Sequence, residues 1–298
     1  MNWVPFVFLD DVCHRLKLES FDEVSQLTGC WSSFGAEHSE KRRELGFFCR
    51  VDGKESRYYI EDEKNGLVHK RNNTTCTGVP VADLNLDFDR ITYVRCAFTD
   101  RLTNRIKLVE LKRDVLPLIS SLVMDCRWPY LDHSFSAQNR IFFEAFENCP
   151  GFNKITAQEQ GQESREFVAR QVELGNVRSL DVHLRKSVEP DLEKLAETLN
   201  AFVNSARFHE LTYRGSFPDD VELYALFLER ALAGELKPYA HILIFNITVE
   251  ASQWIGGLYP EFREKSKEIA WRIPNSRLRV TFEYFGRSFL MKVKRAAN

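Results

Sequence analysis

β-prone apolar runs that recur along most of the chain, with amphipathic helical stretches between them, constrain its fold more than any other feature. Strand starts fall near Ile91, Phe152, Arg178, Phe208, Tyr239 and Arg277. From the second of these on, they lie roughly 25 to 40 residues apart, the interval at which strand–helix units recur. Strand–helix–strand connections of this length predict parallel neighbours joined by right-handed crossovers. Two intervening helices are strongly periodic. Residues 191–206 carry Leu192, Leu195, Leu199, Phe202 and Val203 on one stripe, and 220–233 carry Val221, Tyr224, Phe227, Leu228 and Leu232, with Gly234 as a stop.

The segments 180–182, 211–213 and 243–245 share a character but no fixed fingerprint. The fold class expected is therefore α+β to α/β: an irregular leucine-rich-repeat-like curved sheet first, an ordinary open α/β sheet second. Helices crowded on one face would leave the other for a partner, with Thr92, Arg95, His209 and Thr212 as candidate contacts. Local signals fill in the rest. Asp52-Gly53 predicts a hairpin. Ile91, Tyr93 and Arg95 should share one strand face, with Val94 and Cys96 on the other. Residues 105–111 should form a second strand paired to that one through a turn at 100–104. Asp114 should cap a helix holding Leu116, Ile119 and Val123, with Pro117 in its first turn. The last strand, 277–285, should fold back on 288–294 around Gly286-Arg287.

The first 45 residues read as helical. Leu9, Val12, Cys13 and Leu16 form one stripe. Ser20-Phe21-Asp22-Glu23 is a capping-box pattern that should start a second helix, with Val24 and Leu27 turned inward and Gly29 as its stop. A third helix would carry Trp31 and Phe34, weakened by Gly35. Three short helices bury too little surface to stand alone, so they must pack on the rest of the chain or on another protein. The boundary expected is 1–45 for this segment and 46–298 for an α/β recognition domain.

Chemistry-bearing motifs are absent from the sequence. It has no Gly-x-Gly-x-x-Gly, phosphate loop, Gly-x-Ser-x-Gly or His-Glu-x-x-His. The 7 cysteines include no Cys-x-x-Cys pair, which argues against a zinc finger or a disulfide framework and for free thiols in a reducing compartment, cytosol or nucleus. Asp83, Asp87 and Asp89 miss the calcium-loop spacing. His183, His209 and His241 all lie beside strand candidates and offer a converging face only as a minor alternative. With 41 basic and 43 acidic residues, nothing draws the whole chain to nucleic acid or an anionic membrane. Neither a cofactor nor a metal is expected.

The N-terminal pattern resembles an F-box. The residues that carry the likeness are Val4-Pro5, the stripe Leu9/Val12/Leu16, the capped helix over 20–27 and Trp31. With the chain's end, Phe282-Glu283-Tyr284-Phe285-Gly286-Arg287 and Leu290-Met291-Lys292, it is similar to the nematode F-box families with an associated domain. The resemblance implies a non-enzymatic adaptor that docks a Skp-type adaptor, and through it a cullin ubiquitin ligase, and selects a protein substrate with the following domain. Val4, Pro5, Phe8, Leu9, Val12, Leu16, Leu27 and Trp31 are the expected partner-binding residues. The alternatives are a helical cap on the α/β domain, an interaction module with no ubiquitin link, and an α/β enzyme, which a deep pocket with converging polar groups would reveal.

Overall fold

The computed structural model describes residues 5–16, 18–62, 78–96, 104–128, 136–158, 162–183, 192–214, 220–245, 253–254, 257, 268–273, 276–285 and 288–295. The chain is mixed α/β and divides into two compact units, Met1–Arg127 and Trp128–Asn298.

The first unit opens with three helices: α1 (Phe6–Arg15), α2 (Phe21–Ser25) and α3 (Cys30–Lys41). Gly29, at φ 74°, reverses the chain between the last two. Ser20 is no cap. It is itself helical, the end of a 3-10 turn (Leu18–Ser20) that runs straight into α2, whereas a capping residue needs extended backbone. Gly35 does not break α3 but lets it cross α2. A Cβ there would stand 2.8 Å from Val24 Cγ1 and 2.9 Å from the Ser25 backbone nitrogen.

Five strands follow: β1 (Arg43–Asp52), β2 (Glu55–Asp62), β3 (Asp89–Cys96), β4 (Asn104–Lys107) and β5 (Val123–Trp128), ordered β5-β3-β1-β2-β4. β1 and β2 form the expected hairpin around Gly53 (φ 62°), and β3 and β5 run parallel to β1. Residue 45 thus falls inside β1. The change expected there is one of secondary structure within the first unit, and the division between compact units comes at Arg127.

Three local expectations fail here. The register steps from Leu45↔Ile91 to Gly46↔Tyr93, so Thr92 bulges, and Ile91 and Val94 are both buried instead of alternating. Only Asn104–Lys107 of the strand expected over 105–111 is extended, and it pairs with β2, not β3. Leu108 begins a helical run of α4 (Leu108–Glu110), a π turn (Leu111–Val115) and α5 (Leu116–Leu122). Leu111, Val115, Leu116, Ile119 and Leu122 are buried along it, and this helical period overrides the strand signal. Asp114 lies mid-run, exposed and bound to Arg113 at 2.7 Å, and so caps nothing. The π turn widens the helix just before Pro117, which a regular turn would not accommodate.

The second unit holds α6 (Ser136–Phe146), β6 (Phe152–Gln158), α7 (Gln162–Glu173), β7 (Ser179–His183), α8 (Leu192–Asn204), β8 (Glu210–Arg214), α9 (Asp220–Leu232), β9 (His241–Phe245), β10 (Glu268–Arg272), β11 (Leu278–Phe285) and β12 (Ser288–Arg295). Its order is β10-β11-β12-β9-β8-β7-β6. β6 to β9 are parallel and follow the chain one after another, whereas β12, β11 and β10 add on antiparallel. The expected terminal hairpin is present, with Phe285 opposite Ser288, and β12 docks on β9. The strand near Ile91 belongs to the first unit.

Right-handed crossovers between strands that advance in one direction put their helices on one side. The side chains agree. Leu180, Val182, Leu211, Tyr213, Ile242, Ile244, Phe289 and Met291 are buried, while their alternates in β7, β9 and β12 are half-exposed. α9 is seated by Tyr224, whose hydroxyl donates to the Phe289 carbonyl (3.0 Å) and whose ring meets Phe289 edge-on. That contact sets the phase of the helix. Leu223, Tyr224, Phe227 and Ala231 point inward, and Leu232, expected in the core, is 41% exposed. Two helix ends here are closed by the helix that follows. Gln171 Nε2 of α7 donates to the Phe146 and Glu147 carbonyls beyond α6 (3.1 and 2.9 Å), and Arg230 Nη1 of α9 donates to those of Val203 and Ser205 at the end of α8. Among the described residues no helix is long and apolar enough to cross a membrane.

Candidate functional site

α1 separates the expected partner-binding residues into two groups. Leu9 and Cys13 are fully buried and fasten the helix to its own unit, so Leu9 is withdrawn from any docking surface. The same end is tied down by Arg42, itself buried, whose Nη1 donates to the Cys13 and Leu16 carbonyls at 2.9 and 2.7 Å. The stripe therefore faces inward because its i, i+4 pair is what holds α1 in place. What α1 exposes instead is Phe6, Val7 and Phe8, at 66, 82 and 52%. Pro5 is exposed beside them, and Leu27, expected to point inward, is 51% exposed at the end of α2. Val12, Leu16 and Trp31 are half-buried, and Val4 lies outside the described residues. Phe6 leans on Phe34, with ring centroids 5.7 Å apart.

The second surface is the helix-free face of the second unit's sheet. The register brings Lys154, Ser179, Glu210, His241 and Lys292 into one row across five strands. The next row is Thr156, Asp181, Thr212, Leu243 and Leu290, and beyond it come His183, Arg214, Phe245 and Ser288. Each carboxylate on the face stands between two basic groups. Glu210 meets His241 Nε2 (3.5 Å) and Lys154 Nζ (3.6 Å), and Asp181 meets His183 Nε2 (3.0 Å) and Arg214 Nε (3.6 Å). Glu283 of β11 meets Lys292 Nζ (2.7 Å) and Lys294 Nζ (2.6 Å). Arg214 also stacks over the Phe245 ring at 4.8 Å.

These contacts set the protonation of Glu210, His241 and Glu283. The hydrogen bond from His241, helped by the Lys154 charge and working against burial, holds Glu210 down at about 2. Burial presses His241 down, but its bonds to Glu210 and to the Tyr239 carbonyl (3.2 Å from Nδ1) outweigh it and leave the imidazole raised. His209 is lowered, first by burial and then by His241, whose ring centroid is 6.5 Å away. Burial raises Glu283, and the two lysine bonds reverse this to a net lowering. Of the three histidines singled out, His241 and His183 share the face four residues apart in register, and His209 precedes β8. His209 and His241 thus stand side by side, and His183 lies apart from them, so the three do not converge on one point. Thr212 is on the face but buried.

Other groups are structural. Asp89 is fully buried and held by Arg43, and Asp83 and Asp87 are exposed turn residues. Among the described residues no group of three His, Cys, Asp or Glu could hold a metal ion. Cys13, Cys30, Cys49, Cys126 and Cys149 are free thiols, and burial pushes the Cys49 thiol upward, away from nucleophilic use. A groove of about 490 Å³ between α6 and α7 has Phe143 and Phe167 at its floor and Glu144, Glu147, Glu163 and Glu166 along its walls. A cavity of about 240 Å³ in the first unit is lined by Arg15, Arg42, Arg90 and Arg127 with Glu19, Glu44 and Asp125. Arg42 and Arg90 there donate to backbone carbonyls, which is structural work.

Sequence reasoning missed Lys154, Asp181, Glu210, Glu283, Lys292 and Lys294. Their signal is alternation with the buried residues of each strand, and it becomes a site only once the register is known. Compared with family models, curated proteins and solved structures, the chain matches none.

Proposed function

We propose that the protein is a non-enzymatic adaptor. In this reading the N-terminal helices, which resemble an F-box, dock a Skp-type adaptor and so join a cullin ubiquitin ligase. The leucine-rich-repeat-like strand–helix part of the second unit holds a protein target on its helix-free face. No cofactor takes part, and cytosol or nucleus is the expected place of work. The observation that carries the reading is the exposure of three consecutive apolar side chains, Phe6, Val7 and Phe8, on a helix already fastened by Leu9 and Cys13. A helix that has satisfied its own packing gains from such a patch only when a partner covers it. The sequential order of β6 to β9 supports a recognition surface over an enzyme, because no reversal among these strands opens a switch-point crevice.

The test is capture of a Skp-type adaptor by the full chain. Phe6→Asp with Phe8→Asp should cut capture at least about tenfold while leaving the circular dichroism spectrum unchanged. Capture by neither the wild type nor the variant would remove the ubiquitin link.

A further inference from the structure

Three carboxylates among the described side chains of the helix-free face are less exposed than the Lys and Arg groups that flank them. Asp181 is 22% exposed against 48% for Arg214, and Glu210 is 27% exposed against 42% for Lys154. Glu283, at 16%, lies below Lys292 and Lys294 at 27% and 25%. Four lysine and arginine side chains and two histidines thus flank three carboxylates among the described side chains, and each Lys or Arg is more exposed than the acid it pairs with, although the chain as a whole is at −2. Between the Lys292/His241 row and Arg214 runs a half-exposed apolar strip, Leu243 beside Leu290 with Phe245 next to it.

We propose that this face seats an extended, carboxylate-rich segment of a partner protein, with an apolar side chain of that segment on the Leu243/Leu290 strip. The occupant follows from charge complementarity. Acidic side chains meet the more exposed cations without displacing the carboxylates beside them, and a basic segment would face the like charges of Lys154, Arg214, Lys292 and Lys294. The strip calls for a side chain that a bare polyanion lacks. From β6 to β11 the face spans about 24 Å, five strand spacings of about 4.8 Å, which about seven extended residues cover. The inference rests on the reading of this face as the target-binding surface and adds the chemistry of the target.

The probe is a fluorescein-labelled peptide of about ten residues, rich in Asp and Glu around a central Leu, titrated into the full chain and followed by anisotropy. The expected result is saturable binding that weakens with salt. Lys154→Ala with Arg214→Ala, both half-exposed and outside the core, should weaken it about tenfold, and Leu→Ser in the peptide should weaken it further. Equal binding of a Gln/Ser or a Lys-rich peptide overturns the proposal, as does unchanged affinity in the double variant with an intact circular dichroism spectrum. Tighter binding of a single-stranded oligonucleotide of equal charge also overturns it, in favour of nucleic acid. Skp-type capture separates this from the adaptor reading. Peptide binding without capture keeps the acidic target and drops the ubiquitin link, whereas capture without peptide binding does the reverse.

Discussion

Asp89 is a carboxylate with no exposure at all, and its neighbours explain how it survives there. Arg43 grips it with two parallel bonds, Nε at 2.7 Å and Nη2 at 2.6 Å, and the Asn85 amide adds a third at 2.7 Å. The hydrogen bond to Asp89 also raises the Arg43 pKa further, so the guanidinium stays charged. The two residues face each other at the start of β1 and β3, which locks the parallel register at its first step. Arg43→Ala strands a buried charge. Breaking such a pair costs about 3–5 kcal/mol, and the partial exposure of Arg43 puts the loss at about 3. Urea unfolding should show that drop in the first unit. Arg43→Ala with Asp89→Leu should recover most of it, and a double variant no better than the single would sink the account.

At the level of elements, the helix ends are where this chain most depends on tertiary contacts. The ends of α6 and α8 have local amide donors at Phe146, Phe202 and Ser205, and a side chain from the next helix adds donors at Phe146, Glu147, Val203 and Ser205. Gln171→Leu keeps the volume but removes the side-chain donor from the Glu147 carbonyl and leaves the Phe146 carbonyl to the Cys149 amide (3.0 Å). It should lower stability by about 1–3 kcal/mol in thermal or urea melts, and a neutral effect would mean that water takes the place of Gln171 at Glu147. The same dependence explains what could be read beforehand. α8 and α9 were legible because their apolar period is strong and local. The terminal hairpin was legible because Gly286-Arg287 leaves room for nothing else. α3 was misread at Gly35 because the reason for that glycine is Val24 on another helix. The β3 faces were misread because a bulge at Thr92 is visible only in the pairing. The stripe Leu9/Cys13 was rightly seen as apolar, but its direction is set by Arg42, 29 residues from Cys13, so the exposed set of α1 was not legible. The charged face of the second unit was least legible of all, since its neighbours come from six separate strands.

Across the whole molecule, protection should follow position within each sheet. In the second unit β8 lies between two parallel partners with Leu211 and Tyr213 fully buried, and among the described residues β10 is bonded on one side only. In the first, β1 is flanked by β2 and β3, while α1 exposes three apolar residues. Amide hydrogen exchange should therefore be at least about a hundredfold slower in β8 than in β10, and slower in β1 than in α1. Equal rates throughout a unit would show that it opens only as a whole. The docking of β12 on β9 also has a consequence for synthesis. β9 emerges from the ribosome paired on one side with β8, and its other edge must wait for Ser288–Arg295. Until then a nascent chain presents an open row of amides and carbonyls along Ile242, Leu243 and Ile244, the kind of edge that recruits strands from neighbouring chains. Slowing translation between residues 245 and 288 should raise the aggregated fraction, and supplying the 278–295 hairpin in trans should lower it.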